Sequence, residues 1–366
     1  MSSWKKAWNI LWRVAVCVLL LGWIFLAIFY NEARLARLQL GEPWNELTRA
    51  ERLHLAWTYG PPALLQTLLK VRLDSLLLAI ALMGAMIWLG VARWQIMLRV
   101  QGLDFPFRRT FQISMVGQFF NSFLLGSVGG DLLKAYYVAR ETHHKKAEAV
   151  VTVLVDRLLG MSSMLALSCI MMAPNWQLIM SHRPLRLMAM FVIAMSIGCA
   201  GVFALAFWSG VSKGVPKARL WLAKMPKGEL LLRSLDASRL YGKHPGQLLQ
   251  AFAVSMASNV VAILHFVVLA WGFGLKIPTI AFGVLVPMIT SISTLPITPS
   301  GLGVRENLYV LALAAPSIHV HETRALLLSL IAFATTLVWS AVGGLVYATM
   351  RRREHLEEIQ ADAETA

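Results

Sequence analysis

Stretches without Asp, Glu, Lys or Arg divide the chain: residues 14–30, 75–92, 187–212, 247–275 and 325–350 carry none. A helix needs roughly 20 apolar residues to cross the hydrocarbon of a bilayer, so each of these runs predicts a membrane span. A sixth span is expected at about 148–173, with Asp156 and Arg157 inside it.

Two further apolar segments do not fit one span each. Read as a single helix, 110–140 would be unusually long, would bury Asp131 and Lys134, and would separate basic loops that belong on one side. Its Gly126–Gly130 stretch, GSVGG, offers a break, leaving two limbs of about 10–16 residues, too short to span. Residues 277–320 repeat the pattern, with Pro296, Pro299, Gly301 and Gly303 in the middle. Both read as helical hairpins that enter and leave on one side. The expected fold is an all-α polytopic membrane protein with about six full spans plus two re-entrant or broken hairpins. Span, hairpin and span then occur twice with opposite orientation, an inverted repeat of the kind that marks transporter sites. The expected organisation is a first helix and outer interfacial segment over 1–74, a transmembrane domain over 75–350 and a cytoplasmic tail over 351–366. Within the domain, 75–173 and 247–350 are the repeats, and 187–246 connects them.

Charge orients this topology. The chain has 34 Lys and Arg against 19 Asp and Glu, a net charge of +15. In a soluble protein that balance would suggest nucleic acid, but cytoplasmic loops of membrane proteins collect Lys and Arg. Lys5, Lys6 and Arg13, the loop at 140–146, the basic loop at 211–246 and Arg351–Arg353 therefore face the cytoplasm, as do both termini. The localisation expected is the cytoplasmic (inner) membrane, with anionic lipid headgroups as partners of the basic loops and no nucleic acid. Trp44, Trp57 and Tyr59 suggest that part of 31–74 lies along the outer interface, and the acidic tail from Glu354 reads as solvated and frayed. The N-terminal run lacks a convincing cleavage site and reads as a retained helix. Cys17, Cys169 and Cys199 sit in apolar runs without a CxxC pair, as packing residues do. No cofactor or metal is expected.

Three polar constellations stand inside this apolar frame. The first comprises Asn121, Ser127, Gly129, Gly130, Asp131 and Lys134. Its glycines precede a helix start, where free N–H groups and the dipole suit a phosphate; Asp131 is open to a second role as a plain N-cap. The second is Asp156–Arg157, which point about 100° apart and need not pair with each other; Arg157 is also open to snorkelling to the interface. The third is Pro299, Ser300, Gly301, Gly303, Arg305 and Glu306, a broken helix in which Ser300 is a candidate cap for the second limb. Arg157 and Arg305 should each have an acidic neighbour among Asp131, Asp156 and Glu306, or line a wet groove.

NSFLLGSVGGDLLKAYYVARE, VLVDRLLG and ITPSGLGVRENLY, in this order, resemble the marks of the flippase-like membrane family. That family includes the transmembrane half of lysylphosphatidylglycerol synthases (multiple peptide resistance factor) and the YbhN-type proteins. The resemblance runs from about 75 to 351. The family usually has Pro near Leu125, Arg near Lys134, Glu at Asp156 and Gly at Ser300, so this chain departs at four positions. The aminoacyl-transfer domain of the synthases is not in this sequence. The resemblance thus implies translocation of a lipid or lipid-linked, phosphate-bearing substrate rather than catalysis, with the fourteen residues of the three constellations binding it. Two alternatives stay open: a membrane-embedded transferase acting on a polyprenyl-phosphate-linked substrate, and an accessory subunit of a lipid-modifying system. The first would be expected to show an Asp-x-Asp metal pair in a loop, which is absent from the sequence.

Overall fold

A computed structural model of the chain describes residues 19, 22–23, 25–38, 40, 44, 47–123, 129–142, 145–207, 240–295 and 298–365. Every regular element among them is a helix. Residues 25–38 form α1. There follow α2 (Arg49–Leu69), α3 (Leu73–Val100), α4 (Phe107–Phe123), α5 (Gly129–Glu141), α6 (Lys146–Met172), α7 (Trp176–Met180) and α8 (Arg183–Phe207). Beyond these lie α9 (Pro245–Gly272), α10 (Thr279–Ser293), α11 (Val304–Leu313) and α12 (Glu322–Thr365). The helices α3, α6, α8, α9 and α12 are long and apolar enough to cross a membrane. The chain is an all-α polytopic membrane protein. Of the first expected span, 14–30, residues 14–18, 20, 21 and 24 lie outside the described residues.

The paired limbs are short, as expected. Helices α4 and α5 have 17 and 13 residues, α10 and α11 have 15 and 10. At 1.5 Å per residue none exceeds about 25 Å, against a hydrocarbon core of about 30 Å. The order span, short pair, span therefore occurs twice, as α3–α4–α5–α6 and α9–α10–α11–α12.

The chain forms two compact units. One takes residues up to Leu82, Met171–Met190 and Ile263–Thr335; the other takes Met83–Ile170, Phe191–Ala262 and the chain from Thr336 on. The divisions fall inside α3, α6, α8, α9 and α12, so each of these helices contributes to both. The α4/α5 pair belongs to one unit and the α10/α11 pair to the other.

In the α4/α5 unit, the pair runs antiparallel. Arg109 at the start of α4 donates to Glu141 at the end of α5 (2.6 Å), while Gly130 N–H at the start of α5 donates to Asn121 Oδ1 near the end of α4 (2.7 Å). The chain thus returns toward the side from which α4 set out. A side chain at Gly130 would overlap the Gly117 carbonyl, so the two backbones meet at glycines. Trp94 and Met97 of α3, Ile113 of α4, Val138 of α5 and Leu159 of α6 form the buried core around them. Hydroxyls and amides join further helices: Ser122 Oγ lies 2.7 Å from Ser340 Oγ, and Asn259 donates to Ser163 (3.1 Å).

In the α10/α11 unit, α10 is apolar on every side and buried from Ala281 to Ile289, as such a helix must be. Tyr309 of α11 stacks on Phe266 of α9 at 4.7 Å. Ile28 and Phe29 of α1 pack on Ala56 and Leu326, and Thr323 donates to Glu32. Helix α2 starts at a Thr48–Glu51 capping box (Thr48 N to Glu51 Oε2, 2.8 Å) and leaves Trp57 62% exposed. One expectation is corrected: the tail is not frayed, because α12 continues to Thr365. Residues 351–365 contain no Gly or Pro, and Arg, Glu, Leu, Gln and Ala are all strong helix formers.

Candidate functional site

The α4/α5 unit gathers five charged side chains from three helices. Asp156 and Arg157 of α6 do not pair with each other. The 100° step between them sends Asp156 to α3 and Arg157 to α5. Asp156 receives Arg93 in a two-pronged bond, Nε to Oδ1 at 2.6 Å and Nη2 to Oδ2 at 3.0 Å. Arg93 Nη1 also donates to Ser255 of α9 at 3.2 Å. Gly160, one turn along α6 from Asp156, leaves the space the guanidinium fills, since a Cβ there would come within 2.9 Å of Nη1. Arg157 Nη1 donates to Asp131 Oδ2 at 2.7 Å, and this pair is wetter, with the arginine side chain 39% exposed.

Arg93 was not among the sequence candidates. A signal was available: it is the one charged residue between Asp74 and Arg99 in an apolar helix of 28 residues, and ionisable groups at such depth normally carry a function. It escaped notice because no motif surrounds it.

Asp131 is the third residue of α5, and its carboxylate is occupied by Arg157. At the helix start, the Gly130 N–H is met by the Asn121 side chain. Lys134, one turn further, sets its ammonium 5.2 Å from the centre of the Trp94 ring. Among the described residues no carboxylate bonds it. Ser127 lies outside the described residues.

The third constellation forms the α10/α11 turn. Pro299–Gly301 make a 3₁₀ turn, with Ser300 at φ 54°, Gly301 at φ 70° and Gly303 at φ 80°. Three left-handed residues in four reverse the chain tightly enough that a Cβ on Gly301 would press the Ser293 carbonyl. The cap of α11 is Gly303, not Ser300 as expected. Ser300 sits inside the turn, and Glu306 Oε2 accepts from Gly303 N–H at 2.6 Å. Arg305 and Glu306 therefore occupy the first turn of α11. Arg305 Nη2 donates to Glu306 Oε1 at 2.5 Å, its Nε to Ser329 at 3.3 Å, and its guanidinium lies 4.9 Å from the Phe333 ring centre. Glu306 is fully buried.

Both expected arginines have acidic partners, Asp131 for Arg157 and Glu306 for Arg305. The first and second constellations come together in one unit, through Arg157–Asp131. The third stands in the other unit as a self-balanced pair.

No curated protein matches the chain. The family model for the lysylphosphatidylglycerol synthase transmembrane region matches residues 10–344. That match covers nearly the whole chain, includes both short helix pairs, and agrees with the five apolar spans. The chain therefore belongs to the family of lysylphosphatidylglycerol synthase transmembrane regions.

Proposed function

We propose that the protein translocates a lipid or lipid-linked, phosphate-bearing substrate across the bilayer and makes no covalent change to it. Family membership ties the chain to membrane lipids. The observation that carries the finer reading is the charge of the α4/α5 unit. Among the described residues, Arg93, Lys134 and Arg157 face only Asp131 and Asp156, three cations against two carboxylates, which leaves one positive charge among apolar helices. An isolated charge in hydrocarbon is costly and calls for an anion. A phosphate at Lys134 and the exposed edge of Arg157 would neutralise it, with its tails left in the surrounding lipid.

Lys134 provides the test, because it has no carboxylate to strand among the described residues. In proteoliposomes carrying a fluorescent phospholipid reporter, Lys134→Gln should slow translocation about ten-fold or more, since a charge-assisted hydrogen bond contributes about 1.5–3 kcal/mol. Lys134→Arg should keep most of the rate. A Lys134→Gln protein that moves the reporter at the parent rate would overturn the reading.

A further inference from the structure

We infer, resting on the translocation reading above, that Trp94 is the positioning residue of the site: its ring holds the Lys134 ammonium away from Asp131 and presents it to the phosphate of the substrate. Lys134 of α5 sets its ammonium 5.2 Å from the centre of that ring. The ring belongs to α3, and Trp94 is 1% exposed. Its indole N–H donates to Thr152 Oγ1 of α6 at 3.3 Å, and the buried Thr152 hydroxyl donates to Ala149 O at 2.8 Å. Packing and a hydrogen bond thus fix the platform. The lysine stem reaches it over Gly117 of α4, where a Cβ would come within 3.0 Å of Lys134 Cγ and Cε.

A ring and a carboxylate hold a cation differently. A carboxylate cancels its charge, whereas a ring face attracts it through the quadrupole and leaves the net charge in place. The ammonium has three N–H donors and the ring covers one side of it, so the donors on the other side stay open to an anion. The competing partner stands close by. Asp131 precedes Lys134 by three residues on α5, a spacing at which opposite charges pair on a helix surface. Asp131 instead receives Arg157 at 2.7 Å, and Lys134 lies on Trp94. Without the pull of the ring the ammonium would fold back onto Asp131, and the charge that calls for a phosphate would be screened within the cluster.

The second repeat carries the same contact without the charge. Helices α3 and α9 both have 28 residues, and Trp94 and Phe266 each stand 21 residues after the first residue of their helix. Lys134 and Tyr309 each stand five residues after the first residue of α5 and of α11. In the α10/α11 unit Phe266 stacks on Tyr309 at 4.7 Å, with the rings inclined by 19°. In both units, then, a ring of the first span receives a side chain from the same position of the second limb. Packing is served by two rings. The α4/α5 unit instead brings an ammonium to this position, onto the side chain whose face attracts cations best.

The test uses the full chain in proteoliposomes with the fluorescent phospholipid reporter, and fluorinated tryptophans introduced at residue 94 alone. Fluorine weakens the attraction of the ring face for a cation while keeping the shape of the ring and its N–H, so the packing and the bond to Thr152 are retained. Tetrafluorotryptophan should raise the reporter fraction that gives half-maximal rate about three-fold or more, with a smaller change in the maximal rate. Monofluorotryptophan should fall between it and the parent. In Lys134→Gln protein the fluorinated rings should have no further effect. An unchanged or lower half-saturating fraction would overturn the inference, because the ring would then only pack, or would compete with the phosphate for the ammonium. An equal rise in Lys134→Gln protein would also overturn it, assigning the effect to packing. A slowed Lys134→Gln protein with an unresponsive ring would remove this inference and leave the translocation reading standing, whereas Lys134→Gln at the parent rate would remove both.

Discussion

Arg93 and Asp156, 63 residues apart in sequence, meet as a two-pronged ion pair at 2.6 and 3.0 Å, with both side chains less than a fifth exposed. The pair joins α3 to α6 beside the first short helix pair. Breaking a buried pair from one side strands the other charge at a cost of about 3–5 kcal/mol, whereas replacing both members is often neutral. Arg93→Met should therefore lower the unfolding temperature in detergent sharply. Arg93→Met/Asp156→Met should recover most of it, with a coupling above about 1 kcal/mol in the double-mutant cycle. Additive effects of the two changes would show that the pair contributes nothing to the fold.

Arg305 stands in a different balance. Its partner Glu306 is fully buried and also accepts from Gly303 N–H, so the arginine matches a charge that already caps α11. Arg305→Gln should destabilise the protein by about 3–5 kcal/mol, and adding Glu306→Gln should restore part of the loss. If Arg305→Gln instead keeps the parent unfolding profile and loses only lipid movement, Arg305 touches substrate.

Ser300 holds φ at 54°, where a side chain crowds the following carbonyl. Glycine relieves that conflict, and a left-handed non-glycine residue costs about 1–2 kcal/mol. Ser300→Gly should raise stability by up to about 1 kcal/mol after the larger backbone freedom of the unfolded chain is discounted. A lower unfolding temperature would mean that contacts of the serine side chain outweigh the backbone strain.

Orientation can be read at Lys145, which is exposed and follows α5. The α4/α5 pair returns toward the side where α4 began, so Lys145 and the basic loop between α8 and α9 should share the cytoplasmic side. In protein lacking Cys17, Cys169 and Cys199, Lys145→Cys should resist a membrane-impermeant maleimide in intact cells and react after lysis. Reaction in intact cells would reverse that placement.

The spans were legible in sequence because hydrocarbon imposes a simple rule: no charge over about 20 residues. The runs at 75–92, 247–275 and 325–350 needed no partner to declare themselves, and Gly130, Pro299 and Gly303 marked where the short pairs break. The cap of α11 was less legible. Both Ser300 and Gly303 are compatible with a helix start, and only the reverse turn, which sets both residues left-handed, assigns the cap to Gly303. Partner choice was not legible at all. Asp156 and Arg157 are neighbours in sequence, yet the helical step aims them at α3 and α5, and which cation or carboxylate waits there depends on packing. Arg93 reaches Asp156 because Gly160 leaves room for its guanidinium, and α4 and α5 come close because two glycines, Gly117 and Gly130, face each other. Hydropathy is a property of each segment alone, so the sequence determines the spans; a charge's partner lies across space, so only the tertiary structure decides it.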